Sequence, residues 1–150
     1  MATTVTAATL TVTITEALTL GGNNYNTSTK KEIASIGNIH KRIYTLTAAT
    51  SHTIAEFAST ITGTKFDLED TKYIRITNLD DTNSIVVSFT GASVTSGLVV
   101  PPGGSAMLFD YNINAAASAT TLTSGAAIAS MRIHNLGSVA ADCEVVIATL

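Results

Sequence analysis

The sequence contains no tryptophan, one cysteine and two prolines, and only 13% of its 150 residues are charged. A single cysteine excludes an intrachain disulfide, so packing alone must hold the fold together. The charged share is about half the usual one, and we expect neighbouring copies or partners to cover part of the surface. Threonine and serine also hydrate a surface without charge, which leaves an uncharged soluble surface as the alternative.

Basic residues are also scarce. The net charge is −3, and the only adjacent basic pairs are Lys30-Lys31 and Lys41-Arg42. Because nucleic-acid binding needs many phosphate contacts from a basic face, we predict no nucleic-acid partner. No apolar run approaches the roughly 20 residues of a membrane span, and the N-terminus lacks signal-peptide features. We therefore predict no membrane partner and a protein that is made in a cytosol and kept or assembled there.

Motifs of catalytic and metal sites are missing as well. His40, His52 and His134 are isolated and lack the paired spacing of metal ligands. The sequence has no Gly-x-Ser-x-Gly elbow, and its Gly103-Gly104-Ser105 run lacks the lysine and helix of a phosphate-binding loop. Acidic residues at 67–70 and 80–81 lack EF-hand spacing, although structural calcium stays an alternative. We predict a non-enzyme without metal or cofactor.

What the sequence does contain is a repeated motif. Arg75-Ile76-Thr77-Asn78-Leu79 recurs as Arg132-Ile133-His134-Asn135-Leu136, and each copy leads through a polar turn into a β-branched strand. This arrangement is typical of strand–turn–strand units. It predicts two antiparallel hairpins, which pair residues 72–78 with 84–90 and residues 129–135 with 142–150.

Alternation along a strand assigns roles within the motif. If Ile76 and Ile133 point inward, Arg75 and Arg132 point outward, toward solvent or a neighbouring subunit. In this interpretation isoleucine and leucine supply the buried side and asparagine opens the turn. A looser third copy begins at Arg42. Since arginine offers a planar fork to carboxylates at interfaces, we predict Arg42, Arg75 and Arg132 as interface residues, with solvated strand arginines as the alternative.

The rest of the chain also favours strands. Aliphatic and threonine residues alternate over 9–20, and Gly21-Gly22-Asn23-Asn24 predicts a turn. Isoleucines spaced by three and four predict a short helical or irregular piece over 30–36, followed by a strand over 39–47. The Pro101-Pro102-Gly103-Gly104 run predicts a turn or sheet edge. Over residues 112–125 we predict a long loop, either without regular structure or with one short strand. We predict that Cys143 is a small buried residue in a strand.

These elements add up to about eight to ten short strands with little helix. The fold class we predict is all-β, an antiparallel β-sandwich that is jelly-roll-like. At 150 residues the chain corresponds to a single domain, 1–150. Residues 1–8 either belong to that domain or form an extended N-terminal arm that reaches a neighbour.

Two segments carry a family resemblance. The run from Lys72 to Asn83, followed by Val99-Val100-Pro101-Pro102-Gly103-Gly104-Ser105, resembles small virion proteins of tailed bacteriophages. The resemblance covers about residues 39–110. It implies a β-sandwich that decorates a capsid or belongs to the tail or fibre, usually as a homo-oligomer.

Three hypotheses about function follow. The first is a viral structural protein located in the virion, a capsid decoration or cement protein that forms homo-oligomers, with trimers favoured, and binds the major capsid protein or another virion protein. The second is a phage tail, fibre or host-receptor module that binds a glycan. The third is an enzyme of cupin or hydrolase type, for which the sequence supplies no motif.

Overall fold

A computed structural model describes residues 5–58, 65–67, 69–91, 95–109 and 128–150. Its regular structure in these ranges consists of ten strands of five to ten residues and three strands of two residues, which confirms the predicted all-β class. The described residues contain no helix with the length and apolar character that a membrane span requires. The loop predicted at 112–125 lies outside the described residues. The strands are β1 (Ala8–Glu16), β2 (Thr19–Leu20), β3 (Asn23–Asn24), β4 (Thr27–Ile36), β5 (Asn38–Leu46), β6 (Ser51–Phe57), β7 (Lys65–Phe66), β8 (Thr71–Asn78), β9 (Ile85–Gly91), β10 (Thr95–Val100), β11 (Ser105–Phe109), β12 (Ile128–Asn135) and β13 (Ala141–Thr149).

Two sheets form the body of the molecule, which we call the sandwich. One sheet has the order β10-β9-β12-β6-β7 and the other the order β11-β8-β13-β5. Neighbouring strands are antiparallel except for the short parallel pair β6–β7. Alternate residues of both sheets meet in one apolar core, whose fully buried members include Leu46, Ile74, Ile76, Ile85, Met131, Ile133, Val145 and Ile147. The predicted antiparallel sandwich is confirmed.

The two copies of the repeated motif are not hairpins. Strand β8 pairs with β11 and β13, whereas β9 pairs with β10 and β12. The turn between β8 and β9 therefore crosses from one sheet to the other, and the turn between β12 and β13 crosses back. The predicted strands are present, but the predicted pairing of 72–78 with 84–90 and of 129–135 with 142–150 is wrong.

A buried asparagine holds the first crossing turn. Asn78 is almost completely buried, and its Nδ2 donates to the carbonyl of Asn83 at 2.8 Å and to that of Val100, in the opposite sheet, at 3.2 Å. Its Oδ1 accepts the backbone N–H of Asp80 at 3.1 Å. The side chain thus satisfies its own polar atoms and ties the two sheets together.

Asn135 repeats this arrangement in the opposite direction. Its Nδ2 donates to the carbonyl of Val139 at 2.8 Å and to that of Leu46, across the sandwich, at 3.2 Å. Its Oδ1 accepts the N–H of Gly137 at 2.8 Å. The leucines that follow the two asparagines, Leu79 and Leu136, are 48% and 52% exposed. The prediction that leucine lies on the buried side is wrong, because asparagine occupies that place.

Strands β1 and β4 form a separate antiparallel hairpin, the arm, from residue 8 to residue 36. The helical interpretation of 30–36 is wrong, since these residues continue strand β4. Ala8 pairs with Ile36 and Leu10 with Ile33, so β4 contains one residue more than its partner at this point. Ser35 occupies this bulge with φ at 63°. A bulge lets two isoleucines three residues apart face the same side, which imitates helical spacing.

Candidate assembly surface

The arm divides into a root that packs on the sandwich and a tip that does not. At the root, Val12, Ile33 and Ile36 are buried against the outer face of the β8–β13 sheet. The outer residues beneath them are Tyr73, Val146 and Ala148. The aliphatic side of the alternation predicted for 9–20 therefore contributes to a second, smaller apolar core. This core fixes the direction of the arm relative to the sandwich.

Beyond the root, the arm leaves the body of the molecule. All residues from 15 to 30 are exposed. Residues 17–26, which we call the arm tip, include Leu18, Leu20 and Tyr25, whose exposed fractions are 53%, 65% and 57%. None of the residues from 17 to 29 is charged. The arm tip therefore presents three large apolar side chains to solvent.

The arm tip is nevertheless held in one conformation by its own hydrogen bonds. Strands β2 and β3 pair through a two-residue turn, Gly21-Gly22, whose φ angles of 58° and 83° favour glycine. Asn26 Oδ1 accepts the N–H of Leu18 at 2.7 Å, and the N–H of Tyr25 donates to the carbonyl of Leu18 at 2.8 Å. This confirms the predicted turn and presents the apolar side chains on a defined backbone.

A groove lies at the opposite end of the arm, where β1 and β4 meet β5. Its volume is about 300 Å³, and no charged residue lines it. Ile39, on β5, forms one wall and is 56% exposed. We call this feature the root groove; its lining consists of Thr6, Ala8, Thr9, Leu10, Ile36, Gly37, Asn38 and Ile39.

Arg75, one of the three predicted interface residues, lies on the outer face of the β8–β13 sheet. It forms an ion pair with Glu144, which also accepts a hydrogen bond from Lys41 Nζ at 3.0 Å. This bond from Lys41, together with the Arg75 guanidinium, holds the pKa of the Glu144 carboxyl below its usual value. Arg75 Nε is buried and has no hydrogen-bond partner among the described residues. One nitrogen of the Arg75 guanidinium is therefore paired within the chain, and a second is buried.

The other two predicted interface arginines lie elsewhere. Arg132 is exposed on the outer face of the opposite sheet, because Ile133 points into the core. Arg42 is exposed on the side of β5 that bears Tyr44, and its Cζ lies 5.5 Å from the centroid of that ring. The outward direction predicted for Arg75 and Arg132 is correct, but the fold does not bring the three arginines together. Their role at an interface stays a prediction.

A second apolar feature is the free edge of β10. This strand pairs with β9 on one side and with no described strand on the other. It carries no charge, and both Leu98 and Val99 are exposed although they point to opposite faces. Such an edge offers unpaired backbone groups to another strand. No local pattern predicts this exposure, since the run 98–100 is typical of a buried strand.

Several titratable residues in the described part of the chain have surroundings that the structure defines. There, no group of three or more histidine, cysteine or acidic residues could hold a metal ion. Cys143 is buried in the core, as predicted, and burial followed by the charge of Asp142 raises its pKa to about 11. The Asp80 carboxylate accepts hydrogen bonds from the backbone N–H groups of Thr82 and Asn83. Its charge therefore stabilises the turn in which it lies.

His40 lines a polar cavity. The cavity has a volume of about 160 Å³ and is also lined by Asn38, Lys65, Phe66 and Asp70. His40 Nε2 is 3.0 Å from the Tyr44 hydroxyl, and its ring meets Phe66 edge-on with centroids 5.5 Å apart. Burial, and then the charge of Arg42, lower the pKa of His40. Both effects favour the neutral form of the imidazole, in a cavity that an ammonium and carboxylates also line.

Comparisons with known proteins do not assign the chain to a family. No protein-family model matches it, and no curated protein does. Among solved structures it is similar to a chain from work described as "Bacillus endospore appendages form a novel family of disulfide-linked pili". The two share 18% identity over 75% of this chain and 86% of that chain, with a TM-score of 0.43. A likeness this distant does not transfer a function.

Proposed function

We propose that this chain is a non-enzymatic structural protein of a virion, a capsid decoration or cement protein that coats or stabilises the particle as a homo-oligomer. The observation that carries the proposal is the arm tip, a hydrogen-bonded hairpin whose Leu18, Leu20 and Tyr25 remain in solvent. Clustered exposed apolar side chains mark interaction surfaces in soluble proteins. A surface of this kind on an ordered projection suits a protein that works in contact with others.

The more specific parts of the proposal rest on the resemblance to tailed-phage virion proteins. Eight long strands after the arm divide evenly between the two sheets, which supports the jelly-roll form. Closed cyclic symmetry is common in homo-oligomers, and we favour a trimer bound to the major capsid protein or another virion protein. Cys143 is buried, so assembly here would be non-covalent, unlike the disulfide linkage described for the appendage pili.

Light scattering and co-sedimentation with capsids from the protein's own source test this proposal. We expect a discrete oligomer that is unchanged by reductant and sediments with the capsids. A protein that is strictly monomeric at high concentration and stays in the supernatant would contradict it. Arg132→Ser is a useful additional variant. If this outward arginine contacts the capsid, its loss would weaken co-sedimentation without changing the fold.

A host-receptor module of a phage tail or fibre is the second candidate, and the cavity around His40 favours it. An amide, an imidazole, an ammonium and carboxylates line the cavity beside the Phe66 ring, and polar groups beside an aromatic ring suit a sugar. A glycan array with the natural protein and the Asp70→Asn variant tests this candidate. Binding that the variant abolishes supports a receptor role; an array without signal for either protein contradicts it.

A further inference from the structure

We propose that the arm tip of one copy binds in the root groove of a second copy, so that the chain assembles head to tail. This inference rests on the proposed function and names the surfaces through which the homo-oligomer forms. It starts from two apolar features of one arm, Leu18, Leu20 and Tyr25 at one end and the groove beside Ile39 at the other.

The arm tip does not reach the root groove of its own chain. Between them lie the paired strands Ala8–Glu16 and Thr27–Ile36. A strand rises about 3.4 Å per residue, so nine residues separate the two features by roughly 25–30 Å. Because the strands are paired along their length and the root is packed on Tyr73 and Val146, the arm cannot fold back. Contact between tip and groove therefore requires two molecules.

The arm tip and the root groove are both uncharged, and charged residues lie only at their borders. Neither the arm tip nor the lining of the root groove contains a charged residue, so contact between them buries no charge. Opposite charges stand at their borders. Glu16 directly precedes the arm tip, and Lys41 lies on the same face of β5 as Ile39. The Lys41 side chain is 62% exposed, although its Nζ also pairs with Glu144 at 3.0 Å. Unlike charges at the rim orient an encounter without a large desolvation cost.

The size of the contact predicts how the assembly behaves. The arm tip has ten residues, whereas a standard interface uses roughly 20–30 residues on each side. One such contact is weak alone. Because tip and groove are different surfaces, the contact is heterologous, and it forms a ring if the rotation closes or a filament if it does not. Ring closure makes every copy both donor and acceptor, which agrees with a closed trimer.

Matched variants separate this contact from other modes of association. The double variant Leu18→Ser with Leu20→Ser changes the tip, Ile39→Ser changes the groove, and Leu136→Ser is the control, an equally exposed leucine outside both. In sedimentation velocity we expect the tip and groove variants each to weaken association at least tenfold, while the control assembles like the natural protein. Unfolding midpoints of all variants should agree, since each side chain is exposed.

Mixing the two defective variants gives the decisive result. The tip variant retains its groove and the groove variant retains its tip, so together they form one good contact per pair. We expect a one-to-one dimer that grows no further, at concentrations high enough to populate a single weak contact. Association that survives both variants, or a mixture that shows no dimer, would overturn the inference. Capsid co-sedimentation is read separately: variants that remain monomeric yet bind capsids leave the structural role standing.

Cysteine pairs provide a readout that does not depend on affinity. Cysteine replaces Leu18, Leu20 or Tyr25 one at a time, combined with Ile39→Cys in the same chain, and Leu136→Cys with Ile39→Cys is the control. A disulfide requires Cα atoms about 4.4–6.8 Å apart, so a bond between tip and groove can form only between copies. We expect covalent dimers and larger species for at least one tip pair. Equal yields for the tip pairs and the control would contradict the inference.

Discussion

The sandwich and the arm have the same alternation of aliphatic residues, but these residues are buried in the sandwich and partly exposed in the arm. In the sandwich, alternating aliphatic residues such as Ile74, Ile76 and Ile133 are completely buried between two sheets. In the arm the alternation Leu10, Val12, Ile14 is covered at the root, but its continuation at Leu18 and Leu20 is not. Alternation therefore determines which side chains share one face of a strand. Whether that face becomes a buried core or a surface for a partner depends on whether a second sheet covers it.

The largest contrast should come from truncating one aliphatic side chain in each region. Ile133→Ala leaves a cavity in the core of the sandwich, and we expect it to lower the free energy of unfolding by about 2–5 kcal/mol. Leu20→Ala removes a side chain that is already in water, and we expect a change within about 0.5 kcal/mol. Denaturant unfolding below the assembly concentration measures both. Similar losses for the two variants would mean that the arm tip packs on its own chain.

Asparagine provides the next contrast. Asn135→Ala leaves the carbonyls of Leu46 and Val139 and the N–H of Gly137 without this partner, and we expect a loss of about 2–3 kcal/mol in unfolding free energy. Asn23→Ala, on the exposed arm tip, should be nearly neutral. Asn135→Asp is a control for shape; it keeps the acceptor and loses both donors, so it should be as harmful as alanine. An unchanged free energy of unfolding in Asn135→Ala would contradict a stabilising role of asparagine in the crossing turns.

A smaller effect is expected at the arm root, between the two regions. Val12→Ala removes two buried methyl groups, which at about 0.8 kcal/mol each gives roughly 1.6 kcal/mol. The loss should be local, so hydrogen exchange should become faster in β1 and β4 while the sandwich strands keep their protection. Thr13→Ala, one residue further along β1 and exposed, is the matched control. Uniformly faster exchange in both regions would show that arm and sandwich unfold together.

The smallest effect is a change with pH. The pKa values of Asp80 and Glu144 lie below their usual values in the folded protein, through N–H groups of the turn and through Lys41 and Arg75 respectively. A depressed folded pKa contributes stability above the unfolded pKa, and this stability is lost as the pH falls through the folded value. We therefore expect the melting temperature to fall gradually below about pH 4. Asp80→Asn should flatten the decline, and an unchanged slope would contradict these assignments.

The positions of the strands could be predicted from the sequence, whereas their partners could not. Alternation around Ile76 and Ile133 is a local signal, and it placed β8, β9, β12 and β13 correctly. Pairing depends on the turns, and a polar turn after Asn78 looks the same whether the chain folds back or crosses to the other sheet. The helical interpretation of 30–36 failed for a related reason, because a bulge at Ser35 changes the spacing of isoleucines without changing the strand.

The candidate surface was less predictable than the fold. Leu18 and Leu20 belonged to a correctly identified alternation, but their exposure depends on where the sandwich ends beneath the arm. Arginine was predicted at the interface from its chemistry alone, and Arg75 also forms an ion pair within the chain. Exposure of Leu98 and Val99 follows from the position of β10 at a sheet edge, which no local pattern encodes.

Hydrogen exchange of the arm tip tests the central claim most directly. The amides of residues 17–26 are followed by mass spectrometry at concentrations below and above assembly, with the exposed turn at residues 137–139 as the internal control. The account predicts that assembly slows exchange in the arm tip and in residues 37–39 of the root groove, and leaves the control turn unchanged. Equal exchange of the arm tip in the free and assembled protein would contradict it.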